Sequence, residues 1–268
     1  MPASSPASSA SSPGIALSPL LTQALAHIAE LSRLDAIAAL KVLRQAEYQA
    51  IAAWQIEHLG EITGHDVVAR ITALTDGIVC HLAQRAAVKV AAPADWSDHV
   101  GVLAVGGYGR SEMNPYSDLD LLVLGVGKQA APWQAAFYNE FQTLCWDVKF
   151  TVGASQRSVS ELARTLEEDF ITATAVVEWR PLLAGAPVQQ ALIAMLTRFR
   201  ERRPKEFLLY KLQELAERRA KAGVSLFLME PNLKSNPGGL RDVQLLRTMA
   251  FVVSGSRNLA SLSALDSF

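Results

Sequence analysis

The sequence predicts an α+β fold in which a small β-sheet is flanked by helices. Two segments have the length of buried strands: the apolar run Val102–Val105, which glycines end, and Ser117–Leu124, which finishes in the apolar run Leu121–Leu124. The segments on either side repeat apolar residues every three or four positions, as Leu21, Leu25 and Ile28 do. This is the spacing of amphipathic helices. Helical regions are therefore expected before and after the strands.

Composition favours a globular protein without a strong electrostatic preference. Half of the 268 residues are hydrophobic, and 25 basic side chains balance 26 acidic ones. A net charge of −1 predicts no attraction to nucleic acid or to an anionic membrane. No apolar run reaches the roughly 20 residues of a membrane span, which predicts a soluble protein. Cys80 and Cys145 are too few for a disulfide framework, so we expect a cytoplasmic protein with two buried thiols.

Shifts in composition divide the chain into four predicted regions. Ala, Ser and Pro dominate the first region, which is expected to be disordered because it has little apolar surface to bury. A helical region, a core that contains the strands, and a second helical region follow. The predicted boundaries are 1–18, 19–90, 91–185 and 186–268.

Local signals within these regions predict further elements. Helices are expected over Ile37–Leu59, Val67–Ala86 and Pro132–Trp146, and a third strand over Val148–Val152. Asp66 is predicted to be the N-cap of the helix that begins at Val67. That role explains the His65–Asp66 pair without a metal site.

One stretch, GGYGRSEMNPYSDLDLLVL, carries the chemistry. Asp118 and Asp120 are two residues apart on a predicted strand, so their side chains are expected on the same face. Neighbouring carboxylates repel each other, and a divalent cation relieves that repulsion. Mg²⁺ is favoured because it commonly takes one or two carboxylates together with substrate phosphates. Gly106 and Gly107 would let backbone N–H groups approach those phosphates.

Three other kinds of structure or site could account for this stretch. A dinucleotide-binding loop is disfavoured because no Gly-x-Gly-x-x-Gly is completed before an amphipathic helix. A calcium loop needs acidic ligands spread over a dozen residues, whereas these acids lie on a strand. A plain hairpin whose polar end carries two aspartates stays open, although unpaired carboxylates are rarely buried.

The same stretch resembles the nucleotidyltransferase superfamily that includes DNA polymerase beta, and most of all the bifunctional PII uridylyltransferase/uridylyl-removing enzymes. The resemblance implies a polymerase beta-like fold with a small mixed sheet, and transfer of UMP from UTP, or of another nucleotide, to a PII-type signalling protein. It implies that Asp118 and Asp120 are catalytic and hold Mg²⁺. Gly106 and Gly107 would bind the nucleotide, with Arg110 and Ser117 beside them.

A second motif, EPNLKSNPGGLRDVQ, lies about 120 residues later and resembles the same family. A helix is predicted from Leu240, with Asp242 in its first turn. Two interpretations stay open. The glycine-led helix start could bind an anion with the help of Lys234 and Arg241, or it could be a capped loop between two helices.

The sequence also departs from the family pattern. Ser111 stands where the family usually has glycine, and Ala154 stands where it often has histidine. The third predicted strand has no acidic residue apart from Asp147, which lies at its entrance. The family continues into an HD phosphohydrolase domain and ACT domains, but no histidine follows His99. We therefore expect the N-terminal transferase part of such an enzyme. Two alternatives are a nucleotidyltransferase of the CBS-domain-associated type and a non-catalytic nucleotide-binding module.

Overall fold

The computed structural model describes residues 18–127, 132–222, 230 and 232–259. Residues 1–17, where disorder is predicted, lie outside the described part of the chain. The helices are α1 Pro19–Ala29, α2 Arg33–Glu57, α3 Gly64–Lys89, α4 Trp96–His99, α5 Gly106–Gly109, α6 Pro132–Asp147, α7 Val159–Glu168, α8 Phe170–Val177, α9 Ala186–Arg202, α10 Pro204–Ala222 and α11 Leu240–Ser254. The strands are β1 Val100–Ala104, β2 Leu119–Gly125, β3 Val152–Ser158 and β4 Arg180–Leu183. The predicted α+β class is confirmed.

The chain divides into two compact units. Of the described residues, 18–127, 132–162 and 178–192 form the sheet unit, and 163–177, 193–222, 230 and 232–259 form the helical unit. All four strands and the glycine–aspartate stretch lie in the sheet unit. The PGGLRD motif lies in the helical unit.

The four strands form one mixed sheet in the order β3-β2-β1-β4. β1 pairs antiparallel with both β2 and β4, whereas β2 and β3 run parallel. The two central strands are the apolar runs that the sequence predicts, and β1 is buried along its whole length. A central strand is covered on both faces, which explains why these two segments are continuously apolar.

Helix α3 is the main support of the sheet unit. Its middle section is buried, with Ile78, Val79 and Leu82 fully inaccessible to solvent. Its N-terminus differs from the prediction, because the N-cap is Thr63 and not Asp66. Thr63 and Asp66 form a capping box: the side chain of each accepts a hydrogen bond from the backbone N–H of the other. The Thr63 hydroxyl also donates to Asp66 Oδ2, and this bond, together with the one from the Thr63 N–H, lowers the pKa of Asp66.

The predicted bounds of the third strand were wrong. Helix α6 extends to Asp147, and Lys149 then adopts a left-handed conformation with φ of +66°. The strand therefore begins only at Val152 and continues to Ser158, instead of covering Val148–Val152. The strand β4 was not predicted.

The helical unit is centred on aromatic side chains. Phe170 of α8 contacts Phe199 and Phe207, whose own ring centroids are 5.2 Å apart. Helix α10 begins at Pro204, two residues after α9 ends, and proline suits the first turn of a helix. In the part of the chain that the structure describes, no helix is both long enough and apolar enough to cross a bilayer.

Candidate nucleotide site

The glycine turn connects β1 to the short helix α5. Val105 is extended, and Gly106 has a φ of +56°, a conformation that favours glycine. The backbone N–H of Val105 donates a hydrogen bond to the carbonyl oxygen of Asp120, with an N···O distance of 3.0 Å. The turn is thereby tied directly to β2. Residues that are 15 positions apart in the sequence become neighbours in this way.

The carboxylate of Asp120 lies against two glycines. A Cβ atom at Gly106 would stand 3.0 Å from Asp120 Oδ2, and one at Gly153 would stand 3.3 Å from Asp120 Oδ1. Both distances are shorter than ordinary van der Waals contact. A side chain at either glycine would therefore displace the carboxylate. The two glycines define the space that Asp120 occupies at the start of β2.

Asp118 is an exposed residue that immediately precedes β2. Leu119, between the two aspartates, is fully buried, whereas Asp120 is exposed. This alternation is that of extended chain and agrees with the expectation that Asp118 and Asp120 share a face. Two carboxylates are thus presented to solvent at one end of a buried strand.

Gly107 differs from Gly106 in what surrounds it. Its φ is not positive, and the nearest atom to a Cβ placed there is Arg110 Nη2, at 3.7 Å. That distance is an ordinary contact. Among the described residues, none requires glycine at position 107 for packing, and the side on which a Cβ would stand is open.

The other two predicted binding residues have partners within the protein. Arg110 is largely buried, and its Nε donates a hydrogen bond to Glu112 Oε2 at 2.7 Å. Ser117 is exposed, and its hydroxyl oxygen accepts a hydrogen bond from the backbone N–H of Asn114. Arg110 lies beside Gly107, whereas Ser117 closes the loop that leads to Asp118.

A largely buried ion pair contacts the backbone of the turn. Arg180 on β4 donates from Nη1 and Nη2 to the two carboxylate oxygens of Asp76 on α3, at 2.7 and 2.9 Å. Arg180 Nη2 also donates to the carbonyl oxygen of Tyr108 in α5, at 3.3 Å. Burial, reinforced by the charge of Asp76, raises the pKa of Tyr108 well above its usual value. Asp76 and Arg180 are 104 residues apart in the sequence, so no local sequence pattern indicates that they form a pair.

Gly109 completes the turn by packing tightly on the chain that leads into β4. A Cβ at this position would lie 1.8 Å from the carbonyl oxygen of Glu178. No flexible side chain is available to yield there, because the obstructing atom belongs to the backbone. Glycine is therefore required at position 109 for packing.

No third carboxylate accompanies the two aspartates on the neighbouring strand. The parallel register places Val152 beside Leu119 and Gly153 beside Asp120, and the Leu119 N–H donates to the carbonyl oxygen of Thr151. None of the β3 residues is acidic. Asp147 forms an ion pair with Arg33 at 3.3 Å. Among the described residues, no group of three or more His, Cys, Asp or Glu side chains could hold a metal ion.

The two carboxylates still suit Mg²⁺ as one part of its ligand set. Mg²⁺ usually keeps several non-protein oxygen ligands and is bound through one or two carboxylates plus substrate phosphates. Asp120 lies between Gly106 and Gly153, and neither of these neighbours has a side chain that covers its carboxylate. Its fixed position next to an open backbone at Gly107 fits a metal that arrives together with a phosphate chain.

The PGGLRD motif forms a capped loop. The backbone N–H groups of Leu240 and Arg241, at the start of α11, donate to the carbonyl oxygens of Leu233 and Lys234. Asp242 accepts a hydrogen bond from the N–H of Gly238 and pairs with Arg218, and both interactions lower its pKa. These donors are already used, which favours the capped-loop interpretation over the anion site.

Burial accounts for both cysteines. It raises the pKa of each thiol, Cys80 and Cys145, to about 12. A thiol with such a pKa stays protonated near neutral pH, so neither cysteine acts as a nucleophile. Cys145 is buried, as expected, whereas Cys80 is only partly buried.

Two family models match different parts of the chain. The model described as glutamate-ammonia ligase adenylyltransferase matches residues 10–137, which include the glycine–aspartate stretch. The model described as GlnD PII-uridylyltransferase matches residues 206–268, which include the PGGLRD motif. The two descriptions name different nucleotidyl groups.

Similar proteins come from Pseudomonas. The bifunctional uridylyltransferase/uridylyl-removing enzyme of Pseudomonas entomophila is 37% identical over 174 residues, which is 64% of this chain and 19% of that protein. The enzyme of the same name from Pseudomonas aeruginosa is 37% identical over 170 residues, 63% of this chain and 19% of its own length. That of Pseudomonas putida is 36% identical over 171 residues, again 63% and 19%.

The chain spans about a fifth of the length of the curated relatives it matches. Both motifs that carry the resemblance lie within residues that a family model matches. The glycine–aspartate stretch lies in one match and the PGGLRD motif lies in the other. The resemblance is therefore confirmed: over its matched residues this chain is similar to the bifunctional uridylyltransferase/uridylyl-removing enzymes.

Proposed function

We propose that this protein is a Mg²⁺-dependent nucleotidyltransferase that transfers UMP from UTP to a hydroxyl group of a PII-type signalling protein. The observation that carries the proposal is the position of Asp120 between Gly106 and Gly153, beside the open backbone of Gly107. A carboxylate fixed next to an unobstructed backbone suits a metal-bound triphosphate.

Each residue then has a defined role. Gly106 and Gly107 accommodate the phosphates of the nucleotide, because no side chain lies between their backbone and the ligand. Asp118 and Asp120 hold Mg²⁺, which when bound offsets the negative charge that develops on the transferred phosphoryl group. Arg110 and Ser117 flank the nucleotide. The Asp76–Arg180 pair keeps the turn in place through the carbonyl oxygen of Tyr108.

The reaction forms one bond and breaks one. The acceptor hydroxyl oxygen attacks the α-phosphorus, and the bond to the bridging oxygen breaks to release pyrophosphate. The proton of the hydroxyl passes to a general base. We assign that base to Asp118 or Asp120, because β3 has no acidic residue.

The choice of UTP and of a PII-type acceptor depends on the relatives. These relatives are named uridylyltransferases, and one family model names PII. The model over the glycine–aspartate stretch names an adenylyltransferase instead, so ATP is the donor to compare with UTP. We further propose that the protein acts in the cytoplasm, with boundaries at residues 18, 90 and 185 between its regions.

A second candidate function is a non-catalytic nucleotide-binding module. Its support is the position beside Asp120, where Gly153 and not an acid is found on β3. Such a module would bind the nucleotide and Mg²⁺ but transfer nothing.

One pair of measurements distinguishes these functions. The purified protein is incubated with a PII protein, Mg²⁺ and each of the four α-³²P-labelled nucleoside triphosphates, and the label on the PII protein is counted. Calorimetric titration of the same nucleotides measures binding. Label from UTP above the other three supports the proposed transferase. Binding without label supports the module, and neither binding nor label contradicts both.

A further inference from the structure

A groove in the sheet unit lies next to the candidate nucleotide site and has no role in the proposal above. Its volume is about 640 Å³. One side is a face of α2, the floor includes residues of α3, and the loops at 115–116 and 148–149 complete the wall. The lining residues are Lys41, Arg44, Gln45, Tyr48, Gln49, Ile51, Ala52, Gln55, Val67, Ile71, Pro115, Tyr116, Val148 and Lys149. We call this the α2 groove.

The α2 groove is elongated along α2. Its lining begins at Lys41 and extends to Gln55 on a single helix. Fourteen residues at 1.5 Å each give a length of about 21 Å. An extended peptide rises about 3.3 Å per residue, so the face of α2 matches roughly six or seven residues of extended chain.

Its charge is of one sign. Three lining residues are basic, namely Lys41, Arg44 and Lys149, and none of the fourteen is acidic. None of the ion pairs among the described residues involves these three cations. A ligand with carboxylates would complement them.

The rest of the lining suits a peptide. Gln45, Gln49 and Gln55 carry side-chain amides, which both donate and accept hydrogen bonds as a peptide backbone requires. Ile51 and Ile71 provide a buried apolar floor. An extended segment with an apolar or aromatic side chain between carboxylates would satisfy all three features.

Two residues of the groove lining are close in sequence to the chain that forms the candidate site. Tyr116, whose side chain is 99% exposed, is two residues before Asp118. On the other wall, Lys149 is two residues before Thr151, whose carbonyl oxygen accepts the N–H of Leu119. A segment that lies in the groove therefore ends beside the chain that carries the two aspartates.

Arg44 fixes the second of these walls. Its Nη1 donates to the carbonyl oxygens of Val148 and Lys149, and its guanidinium lies 4.1 Å from the ring centroid of Phe150. Lys149 is held in its left-handed conformation at this turn. This conformation ends helix α6, because the N–H of Phe150 then donates to the carbonyl oxygen of Cys145. The turn gives Lys149 its position in the groove lining.

We propose that the α2 groove binds an extended, acidic segment of the acceptor protein, the segment that carries the hydroxyl to be modified. This inference rests on the proposed function and names the substrate feature that the site selects. The chain's own residues 1–17 have no charged side chain and would not complement the three cations. A nucleoside triphosphate is the other anionic occupant, and displacement of a bound peptide by UTP would reveal it.

The test uses two fluorescent seven-residue peptides, one with a central tyrosine, two leucines and four glutamates, the other with lysine at each glutamate position. Fluorescence anisotropy measures their affinity for the protein with and without UTP and Mg²⁺. We expect the acidic peptide to bind at least about tenfold more tightly than the basic one. We expect no displacement by UTP, because the groove is separate from the phosphate site.

Variants assign the binding to the groove. Lys41→Glu and Tyr116→Ala change exposed side chains of the lining and are expected to weaken the acidic peptide by about fivefold or more. Lys205→Glu, a charge reversal at an exposed residue outside the groove, is the control and is expected to leave affinity unchanged. Equal binding of both peptides, displacement by UTP, or no effect of the two groove variants would overturn the inference.

Transfer kinetics separate this inference from the proposed function. With a PII protein as acceptor, Lys41→Glu should raise the KM for that protein and leave the KM for UTP unchanged. If transfer proceeds and neither KM changes, the groove assignment fails and the function stands. If no transfer occurs while the acidic peptide binds as described, the function fails and the groove assignment stands.

Discussion

Replacement of the two adjacent glycines by alanine should have opposite effects on stability and the same effect on nucleotide binding. At Gly106, alanine must adopt a φ of +56°, which costs about 1–2 kcal/mol, and its Cβ would lie 3.0 Å from Asp120 Oδ2. At Gly107 the φ is ordinary and the nearest atom is 3.7 Å away. Alanine there should stabilise the protein by about 0.4–1 kcal/mol, since it restricts the unfolded chain.

Both variants should nevertheless lose affinity for UTP with Mg²⁺. Gly106→Ala displaces the Asp120 carboxylate, and Gly107→Ala places a methyl group where a phosphate approaches the backbone. A loss of at least about tenfold, or 1.4 kcal/mol, is expected for each. Calorimetric titration measures the affinity, and urea denaturation measures the free energy of unfolding.

Gly60→Ala is the matched control for Gly106→Ala. Gly60 has a φ of +92° and no atom within 4 Å of an added Cβ, so alanine there carries a backbone cost without a steric contact. Its nucleotide affinity should equal that of the wild type. The reasoning is refuted if Gly107→Ala folds normally and binds UTP as tightly as the wild type, because the phosphates would then lie elsewhere.

Three further predictions concern the support of the site. Gly109→Ala should destabilise the protein by about 3 kcal/mol or prevent folding, because its Cβ would lie 1.8 Å from the carbonyl oxygen of Glu178. Gly64→Ala, with no atom within 4 Å, should leave the urea midpoint at or slightly above that of the wild type. Arg180→Met leaves Asp76 without its bidentate partner and should lower the unfolding free energy by about 3 kcal/mol, and Asp76→Leu in the same chain should recover part of it. The thiol of Cys145, with a pKa of about 12, should not react with Ellman's reagent at pH 8 until urea unfolds the protein, and rapid reaction in the folded state would contradict the assignment.

Local patterns predicted the central part of the sheet correctly. The β1 and β2 segments are apolar because both strands are central, and the glycine turn between them has an equally local signal. Thr63, which caps α3, could also have been found, because Thr63 and Asp66 have the spacing of a capping box.

The edge strands were missed because their residues are partly exposed to solvent and do not form continuous apolar runs. β3 forms one edge of the sheet and consists largely of small and polar residues, so the more apolar segment before it was chosen. β4 forms the other edge and contains Pro181, which only an edge strand or a bulge tolerates. Contacts between distant residues, such as Asp76 with Arg180, leave no local pattern in the sequence.

The most direct test of the central claim is the transfer of labelled UMP to a PII protein by Asp118→Asn and Asp120→Asn. Each substitution preserves side-chain size and removes the charge that holds Mg²⁺, so activity should fall by far more than tenfold, or 1.4 kcal/mol of barrier, while the urea midpoint stays at or above that of the wild type. Asp95→Asn, at an exposed aspartate next to α4, is the control and should retain full activity. Activity above about a tenth of the wild type in either aspartate variant would contradict the assignment of this site.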